Sequence, residues 1–463
     1  MVALLGWSLS LAAWAHSAER GIILLLPTEL YMVGGALAVL FSFALLALVP
    51  DHSVKQLSRW QKNLWTMPAI PTHITSFAAF GFFVFLVTSG FLGSRDPLSN
   101  PLPVTVWTLW WVMFTVLQCL TGNLWNHLNP WTGLTRLVRN KLNLKSSYVA
   151  LPRAVGFLPA MTLFMGFAWF ELVDIAPEDP DRLAVAASIY WLTNFIAVMV
   201  FGNKDWFERG EPFAIFFRLV GKVSPFQVTE LANDRWRISL TMPGSQFRRL
   251  EPLPLSGVMF VLLTLSTVSF DGLSCSFLWL GSIGINPLEF PGRSAVVGMN
   301  STGLVATFLV LAALFLGSVY GGWMLTGQQG SFRASAGKLV YSIIPISLVF
   351  HAAHYLTLVL VNTQYAVVAF NDPLAQGWTL LGTDHFHVTT SFFNHIEAVS
   401  IIWSTQTAIV VVGHVIGIFL AHILAMDLHG DTRRATLSQL FLAALMVAYT
   451  VFGLWLLSTP SIG

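Results

Sequence analysis

Long apolar segments recur along this chain of 463 residues and restrict it to one class of fold. Hydrophobic residues make up 55% of the sequence, and charged residues only 10%. A helix needs roughly 20 apolar residues to cross the hydrocarbon core of a bilayer, which is about 30 Å thick. The sequence therefore predicts an all-α transmembrane bundle over residues 16–463. Its spans, about ten in number, are expected near 29–49, 71–93, 103–121, 150–173, 183–202, 253–280, 298–325, 338–362, 399–426 and 436–458.

The loops between these windows indicate the orientation of the chain, because Lys and Arg concentrate on the cytoplasmic side of a membrane protein. Every loop rich in basic residues follows an odd-numbered window, as the stretch from Lys204 to Arg249 does. The even-numbered loops contain acidic residues instead, such as Asp174 and Asp372. We therefore expect both termini to face outward. The net charge of +2 indicates no nucleic-acid partner, because topology accounts for the basic residues.

Residues 1–15 resemble a weak signal peptide. An apolar stretch ends in Ala13, Trp14 and Ala15, a small-x-small cleavage pattern, although a positive n-region is missing. A re-entrant, uncleaved N-terminus fits nearly as well. Cleavage after Ala15 would leave His16 at the amino terminus, where its amine and imidazole form a chelate suited to copper by ligand type. The alternative is that His16 is an ordinary exposed residue.

Two segments outside the windows are long enough to have local structure. Residues 223–252 alternate polar and apolar side chains ahead of a Pro-Gly pair, which predicts a short cytoplasmic hairpin. This insert is too small for a catalytic domain, so we expect a flap or a docking surface for a partner subunit. Residues 363–398 are predicted to form an outward loop. Its His385 and His387 would point the same way on an extended strand, as a second metal site or an entry funnel requires.

His351, His354 and His414 lie well inside apolar windows, where an ionisable side chain is costly and is by default a functional hypothesis. His351 and His354 are three residues apart, so a helix places them one turn apart and within about 60° of each other. If the next span enters the apolar layer near Trp403, His414 lies about 16 Å below that point, a depth similar to that of His351. The three side chains are therefore predicted to share a metal ion or a haem group.

The same residues also have structural explanations. A neutral histidine often only hydrogen-bonds across helices, a contact worth about 1 kcal/mol or less. His422 lies eight residues beyond His414 and about 12 Å deeper, so we expect it to be a separate feature. Asp271 and Glu29 are near the outward ends of their windows, where capping or interfacial roles explain them as well as catalysis does.

Short motifs over nearly the whole chain resemble those of a known family. They are Ala15-His16, Leu26-Pro27-Thr28, Asn129-Pro130-Trp131, Gly210-Glu211-Pro212-Phe213, Ser269-Phe270-Asp271-Gly272, His351-Ala352-Ala353-His354-Tyr355, Asn371-Asp372-Pro373 with Gly377-Trp378, and Gly413-His414-Val415 with Ala421-His422. Together they are similar to a family of bacterial polytopic proteins often labelled fenitrothion hydrolase. The resemblance implies a multi-pass protein of the bacterial inner membrane that cleaves organophosphate triesters, apolar substrates that partition into lipid.

The implied hydrolase chemistry is compatible with a histidine site. A divalent metal held by histidine acidifies water and polarises the phosphoryl oxygen of a triester. In this interpretation His351, His354 and His414 bind zinc, copper or iron, and Asp271 acts as the base or as a fourth ligand. Such an enzyme would take a small apolar substrate directly from the lipid bilayer.

Other classes of protein would use the same residues differently. A redox subunit would hold haem b or copper between the eighth and ninth windows, with His414 facing His351 or His354 as axial ligands. A metal-ion transporter would use these histidines as an ion site at the membrane midplane, with the outward histidine loop as a collector. A cofactor-free scaffold subunit would dock its partner on residues 223–252.

Overall fold

Helices dominate the computed structural model, which describes residues 27–144, 147–383 and 385–459. The structure is 73% helical with almost no sheet. Within the described residues, nine helices are long and apolar enough to cross a membrane. The chain is therefore a multi-span helical membrane protein, as its apolar windows predicted. The predicted signal peptide, its cleavage site and His16 lie outside the described residues.

The nine long helices alternate with shorter ones. The long helices are α1 (Thr28–Leu48), α3 (Thr72–Leu92), α4 (Pro101–Thr121), α8 (Pro180–Phe201), α11 (Leu255–Ser274), α13 (Val297–Leu325), α14 (Phe332–His354), α16 (Ile396–His429) and α17 (Thr432–Ser458). The shorter helices are α2 (Asp51–Arg59), α5 (Trp125–Leu128), α6 (Thr132–Lys141), α7 (Leu158–Leu172), α9 (Asn203–Arg209), α10 (Pro212–Val220), α12 (Phe277–Ser282) and α15 (Leu356–Asn371).

The sequence predicts ten spans, whereas nine helices of the described residues have spanning length. The difference involves two shorter apolar helices. The window at 150–173 corresponds to α7, whose 15 residues rise only about 22 Å, less than a hydrocarbon core. The window at 338–362 is divided at Tyr355, where α14 ends and α15 begins. A tenth crossing through α7 stays a prediction.

A three-stranded antiparallel sheet is the main structure outside the helices. Its strands are β1 (Gln61–Pro68), β2 (Phe226–Leu231) and β3 (Arg235–Thr241), in the order β1-β3-β2. Strands β2 and β3 form a hairpin within the predicted insert, and the turn residues Asn233 and Asp234 have positive φ. The sequence pattern did not indicate β1. We call this end of the bundle the sheet face and the opposite end the distal face; the cytoplasmic location of the sheet face stays a prediction.

Arg248 attaches the segment after the hairpin to the bundle. Its guanidinium donates to both carboxyl oxygens of Asp427 on α16, at 2.8 and 2.6 Å, and to Ser58 Oγ on α2 at 2.7 Å. Lys338 on α14 donates to the backbone oxygen of Arg248 at 3.0 Å. The insert is therefore packed against several helices, and its docking role stays a prediction.

Glycine residues allow the central helices to pack with little space between them. A Cβ atom added to Gly413 on α16 would lie 2.2 Å from the Val349 side chain on α14. On α13, a Cβ atom added to Gly322 would lie 1.9 Å from the backbone oxygen of Ser438 on α17. Small residues at such crossings are the usual means of close helix packing in membranes.

Candidate functional site

Four polar side chains meet near the distal ends of α7, α11 and α14. His354 Nε2 lies 2.9 Å from Asp271 Oδ2, and the Tyr355 hydroxyl lies 2.6 Å from the same oxygen. The Tyr355 hydroxyl also lies 3.2 Å from Glu171 Oε1. We call Glu171, Asp271, His354 and Tyr355 the acid–histidine cluster. It brings two carboxyl groups, an imidazole and a phenol into contact within an apolar bundle.

The break between α14 and α15 makes this arrangement possible. Consecutive side chains on a continuous helix point about 100° apart, so they rarely reach one atom. Tyr355 leaves the helical conformation, with φ −95° and ψ 9°. His354 and Tyr355 consequently both reach Asp271 Oδ2. Asp271 and Glu171 are themselves in the last turns of α11 and α7, so three helix ends supply the cluster.

Counting the hydrogen atoms available for donation limits the protonation states that fit the cluster contacts. A phenol has one hydrogen to donate, so Tyr355 can donate to Asp271 or to Glu171 but not to both. The shorter contact, to Asp271, identifies that carboxylate as the preferred acceptor. Glu171 then satisfies the remaining contact only when it is protonated and donates to the phenol oxygen. One ionised and one protonated carboxyl group therefore fit the geometry best.

His351 lies one turn from His354 but has a different partner. Its Nε2 lies 3.0 Å from the backbone oxygen of Trp111 on α4, and its ring packs edge-on against the Trp111 indole, with centroids 4.7 Å apart. A carbonyl oxygen only accepts hydrogen bonds, so His351 Nε2 carries the hydrogen and has no lone pair for a metal. Trp111 belongs to a wide π-helical segment, Val104–Phe114, a type of irregularity that is frequent at functional sites.

His414 is buried near the middle of α16 and does not join the cluster through a hydrogen bond. Its Nδ1 donates to the backbone oxygen of Val410 at 2.8 Å, and its ring lies 6.2 Å from the Tyr449 ring on α17. Among the described residues, no three His, Cys, Asp or Glu side chains are placed to hold a metal ion. The structure thus joins His354 to Asp271, whereas His351 and His414 bond to separate backbone carbonyls. A shared zinc, copper or iron site stays a prediction, although the three histidines are not arranged to hold one ion together.

Haem b does not fit between α14 and α16 either. The two helices are in direct contact beside His414, as the 2.2 Å approach of a Gly413 Cβ to Val349 indicates. One turn further along α16, a Cβ on Gly417 would lie 3.0 Å from the backbone oxygen of Ser342. A flat porphyrin needs a gap between helices, and this contact leaves none.

The remaining predicted ligands are dispersed. His422 Nδ1 lies 3.3 Å from the Gln439 side-chain amide, toward the sheet face, as the separate feature that its depth suggested. His385 and His387 are exposed on the segment between α15 and α16. Asp384, which directly precedes His385, is outside the described residues. A metal at this outward loop is therefore still a prediction.

Sequence reasoning missed two members of the cluster, although both carried a signal. Glu171 is an acidic residue near the end of the window at 150–173, and an ionisable residue in an apolar span is by default a functional hypothesis. Tyr355 directly follows the His-x-x-His pair. Neither signal shows which other helix each residue meets, because that depends on tertiary packing.

A charged group at the distal face lies next to the cluster. Arg293 donates to the backbone oxygens of Glu171 at 2.9 Å and of Asp174 at 3.3 Å, which satisfies carbonyls at the end of α7. Arg182 binds the Asp174 carboxylate with its shortest contact at 2.6 Å, and the Ala176 amide donates to it at 2.9 Å. Burial alone would raise the pKa of Asp174, but the Ala176 amide and Arg182 outweigh it and hold the pKa below its usual value.

This lowered pKa predicts a pH-dependent stability. Asp174 stabilises the folded state fully above its unfolded pKa of about 3.9, and that contribution is lost as the pH falls through the lower folded pKa. Asp174→Asn should therefore lower the melting temperature by a few degrees at pH 7. The difference from wild type should shrink as the pH falls below about 4. Melting curves of both proteins in detergent at several pH values test this, and a difference independent of pH would contradict it.

The fold and the cluster define a class: a multi-span helical membrane protein with a half-buried acid–histidine cluster at a helix break. No protein-family model, curated protein or solved structure matches this chain. The resemblance to proteins labelled fenitrothion hydrolase therefore stays a prediction from sequence motifs.

Proposed function

We propose that this protein is a proton-coupled membrane transporter in which the acid–histidine cluster binds and releases the coupling proton. The observation that carries the proposal is the set of contacts from His354 through Asp271 and Tyr355 to Glu171, at 2.9, 2.6 and 3.2 Å. Ionisable residues inside membrane spans are rare, and chains of Asp, Glu and His mark the proton relays of pumps and transporters.

The helix break supports the same function. Transporters commonly build their ion sites at discontinuous helices, where unwound backbone and polar side chains replace water. Here the break at Tyr355 falls directly between α14 and α15 and carries the cluster. A joint at this position lets the two halves of the helix move relative to each other, as alternating access requires.

Access from outside the bundle also supports proton exchange. The side chains of Asp271 and His354 keep 17% and 21% of their surface exposed, so the pair is not sealed in the core. A proton that enters can reside on His354 or on either carboxyl group. Rotation of the Tyr355 hydroxyl transfers its hydrogen bond between Asp271 and Glu171, which links the two acids without a large movement.

Cargo does not fit into either of two small cavities in the described part of the bundle. Two internal cavities of about 10 Å³ each lie among apolar side chains such as Phe260 and Leu265. A cavity of this size holds about one water at most. A metal ion with its ligands, or a small apolar molecule, would enter either cavity only if the bundle opened, as it does in a carrier.

A pH-jump experiment tests the proposal without knowledge of the cargo. Purified protein in proteoliposomes on a solid-supported membrane is exposed to a sudden change of pH, and the displaced charge is recorded. Wild type should give a transient current well above that of protein-free liposomes, because protons enter the half-buried cluster. Tyr355→Phe should reduce the displaced charge, because the phenol that connects Glu171 to Asp271 is lost. A wild-type signal no larger than that of protein-free liposomes would overturn the proposal.

A second candidate, hydrolysis of phosphotriesters, is favoured by one observation. Asp271 holds the His354 imidazole at 2.9 Å, the geometry in which a carboxylate orients a histidine as general base. His354 would take a proton from water, the hydroxide would attack phosphorus, and the aryl oxide would leave. Release of a chromogenic phenol from an aryl phosphotriester, lost in His354→Gln, would support this candidate. Release no faster than in empty membranes would remove it.

A further inference from the structure

Four buried polar atoms point from one face of α16 and have no protein hydrogen-bond partner among the described residues. They are Trp403 Nε1, Gln406 Oε1, Thr407 Oγ1 and His414 Nε2. Their residues are 0%, 4%, 8% and 1% exposed, respectively. At 100° per residue, all four lie within about 100° of the helix circumference, over a length of about 16 Å. Such a row of unsatisfied groups needs an explanation, because buried polar atoms are nearly always hydrogen-bonded.

The hydrogen-bond donors and acceptors of the row indicate which ligand would satisfy it. The Trp403 indole only donates, Gln406 Oε1 only accepts, and the Thr407 hydroxyl does both. His414 donates through Nδ1 to Val410, so its neutral form has an accepting lone pair on Nε2. The row is uncharged and offers mixed donors and acceptors, with only one good metal ligand. Water, which donates and accepts, satisfies it better than a metal ion or an anion does.

The two ends of the row contact helices that carry the cluster. At its distal end, the Gln406 amide donates to the backbone oxygen of Ala353 at 3.0 Å, directly beside His354. At its other end, His414 packs near Tyr449, whose hydroxyl hydrogen-bonds Ser269, two residues before Asp271. His414 is near the middle of the 34-residue α16. The row therefore extends from the level of the Ala353 carbonyl, next to His354 in the chain, to the middle of α16.

We propose that this face of α16 holds a file of water molecules that connects the acid–histidine cluster with His414. Seven residues separate Thr407 from His414, about 10 Å, so waters in hydrogen-bond contact are needed between them. The water file rests on the unpartnered atoms alone. Its role as a proton path, with His414 as the inner proton acceptor, rests on the proposed transport function.

Hydroxyl-radical footprinting by X-ray irradiation detects the water itself. Radicals form from bound water, so a side chain beside ordered water is oxidised although it is buried. Trp403 and His414 should be oxidised roughly tenfold faster than matched residues without a water partner. The matched residues are Trp131, 2% exposed, whose Nε1 donates to the Trp191 backbone oxygen, and His351, 3% exposed, whose Nε2 donates to Trp111. Equal protection of all four would overturn the water file.

Substitution of Thr407 tests the path in the same proteoliposomes. Thr407→Val keeps the shape of the side chain but removes its hydroxyl, so the proton-driven current should relax about tenfold more slowly. Thr405→Val is the control, because Thr405 is exposed on another face of α16. An unchanged relaxation in Thr407→Val would overturn the proton path.

The two experiments separate the failure of each proposal. A proton-driven current with protected Trp403 and His414 would leave the transport function standing and remove the water file. Oxidation of Trp403 and His414 without any proton-driven current would support the water file and remove the transport function.

Discussion

Asp271→Asn should abolish the proton-driven charge displacement, the largest functional effect that we expect from a single substitution. Asparagine has nearly the same shape as aspartate but cannot take up a proton, and it offers His354 no negative partner. Asp271 Oδ2 accepts two of the three cluster contacts, from His354 at 2.9 Å and Tyr355 at 2.6 Å, so its loss separates His354 from Tyr355 and Glu171. The displaced charge should fall to the level of protein-free liposomes.

Asp234→Asn is the matched control for this substitution. Asp234 is exposed in the turn between β2 and β3, where its φ of 50° is a conformation that asparagine also tolerates. The control should behave as wild type, so a loss confined to Asp271→Asn reports the cluster rather than the removal of any acid. Gel filtration in detergent verifies that both variants fold. Wild-type charge displacement in a folded Asp271→Asn protein would exclude Asp271 as the proton site.

Gly322→Ala should cause the largest loss of stability. The added Cβ atom would lie 1.9 Å from the backbone oxygen of Ser438, which cannot rotate away as a side chain can. Helices α13 and α17 must therefore separate. Overpacking of this kind costs about 1–3 kcal/mol and occasionally more, and we expect about 3 kcal/mol of the free energy of unfolding here.

Gly317→Ala provides the control on the same helix. No atom lies within 4 Å of a Cβ built on Gly317, so the substitution should be neutral or slightly stabilising, because alanine favours helix over glycine. Unfolding of both variants in detergent, followed by tryptophan fluorescence, measures the difference. Equal melting of Gly322→Ala and Gly317→Ala would contradict the close contact of α13 with α17.

The acid–histidine cluster illustrates how far a sequence leads toward a site. An ionisable side chain in hydrocarbon carries a high free-energy cost. This criterion identified His351, His354, His414 and Asp271 as candidates without any knowledge of the fold. Depth along each window then grouped three histidines, because rise per residue is fixed for a helix. The rotation of each helix about its own axis and the identity of its neighbours are not encoded in depth. Packing turned His414 toward Tyr449 and brought Glu171 into the cluster instead.

The sequence by itself determined the class of this protein and the approximate bounds of its helices. A bilayer leaves a backbone few alternatives, because every polar group of a spanning segment must be satisfied within it. Apolar windows therefore located α1, α3 and α13 within a few residues. The tertiary structure alone decided the break at Tyr355, the strand β1 beside β3, and the partner of each buried histidine. These features depend on contacts between residues far apart in the chain, and no local pattern of hydrophobicity contains that information.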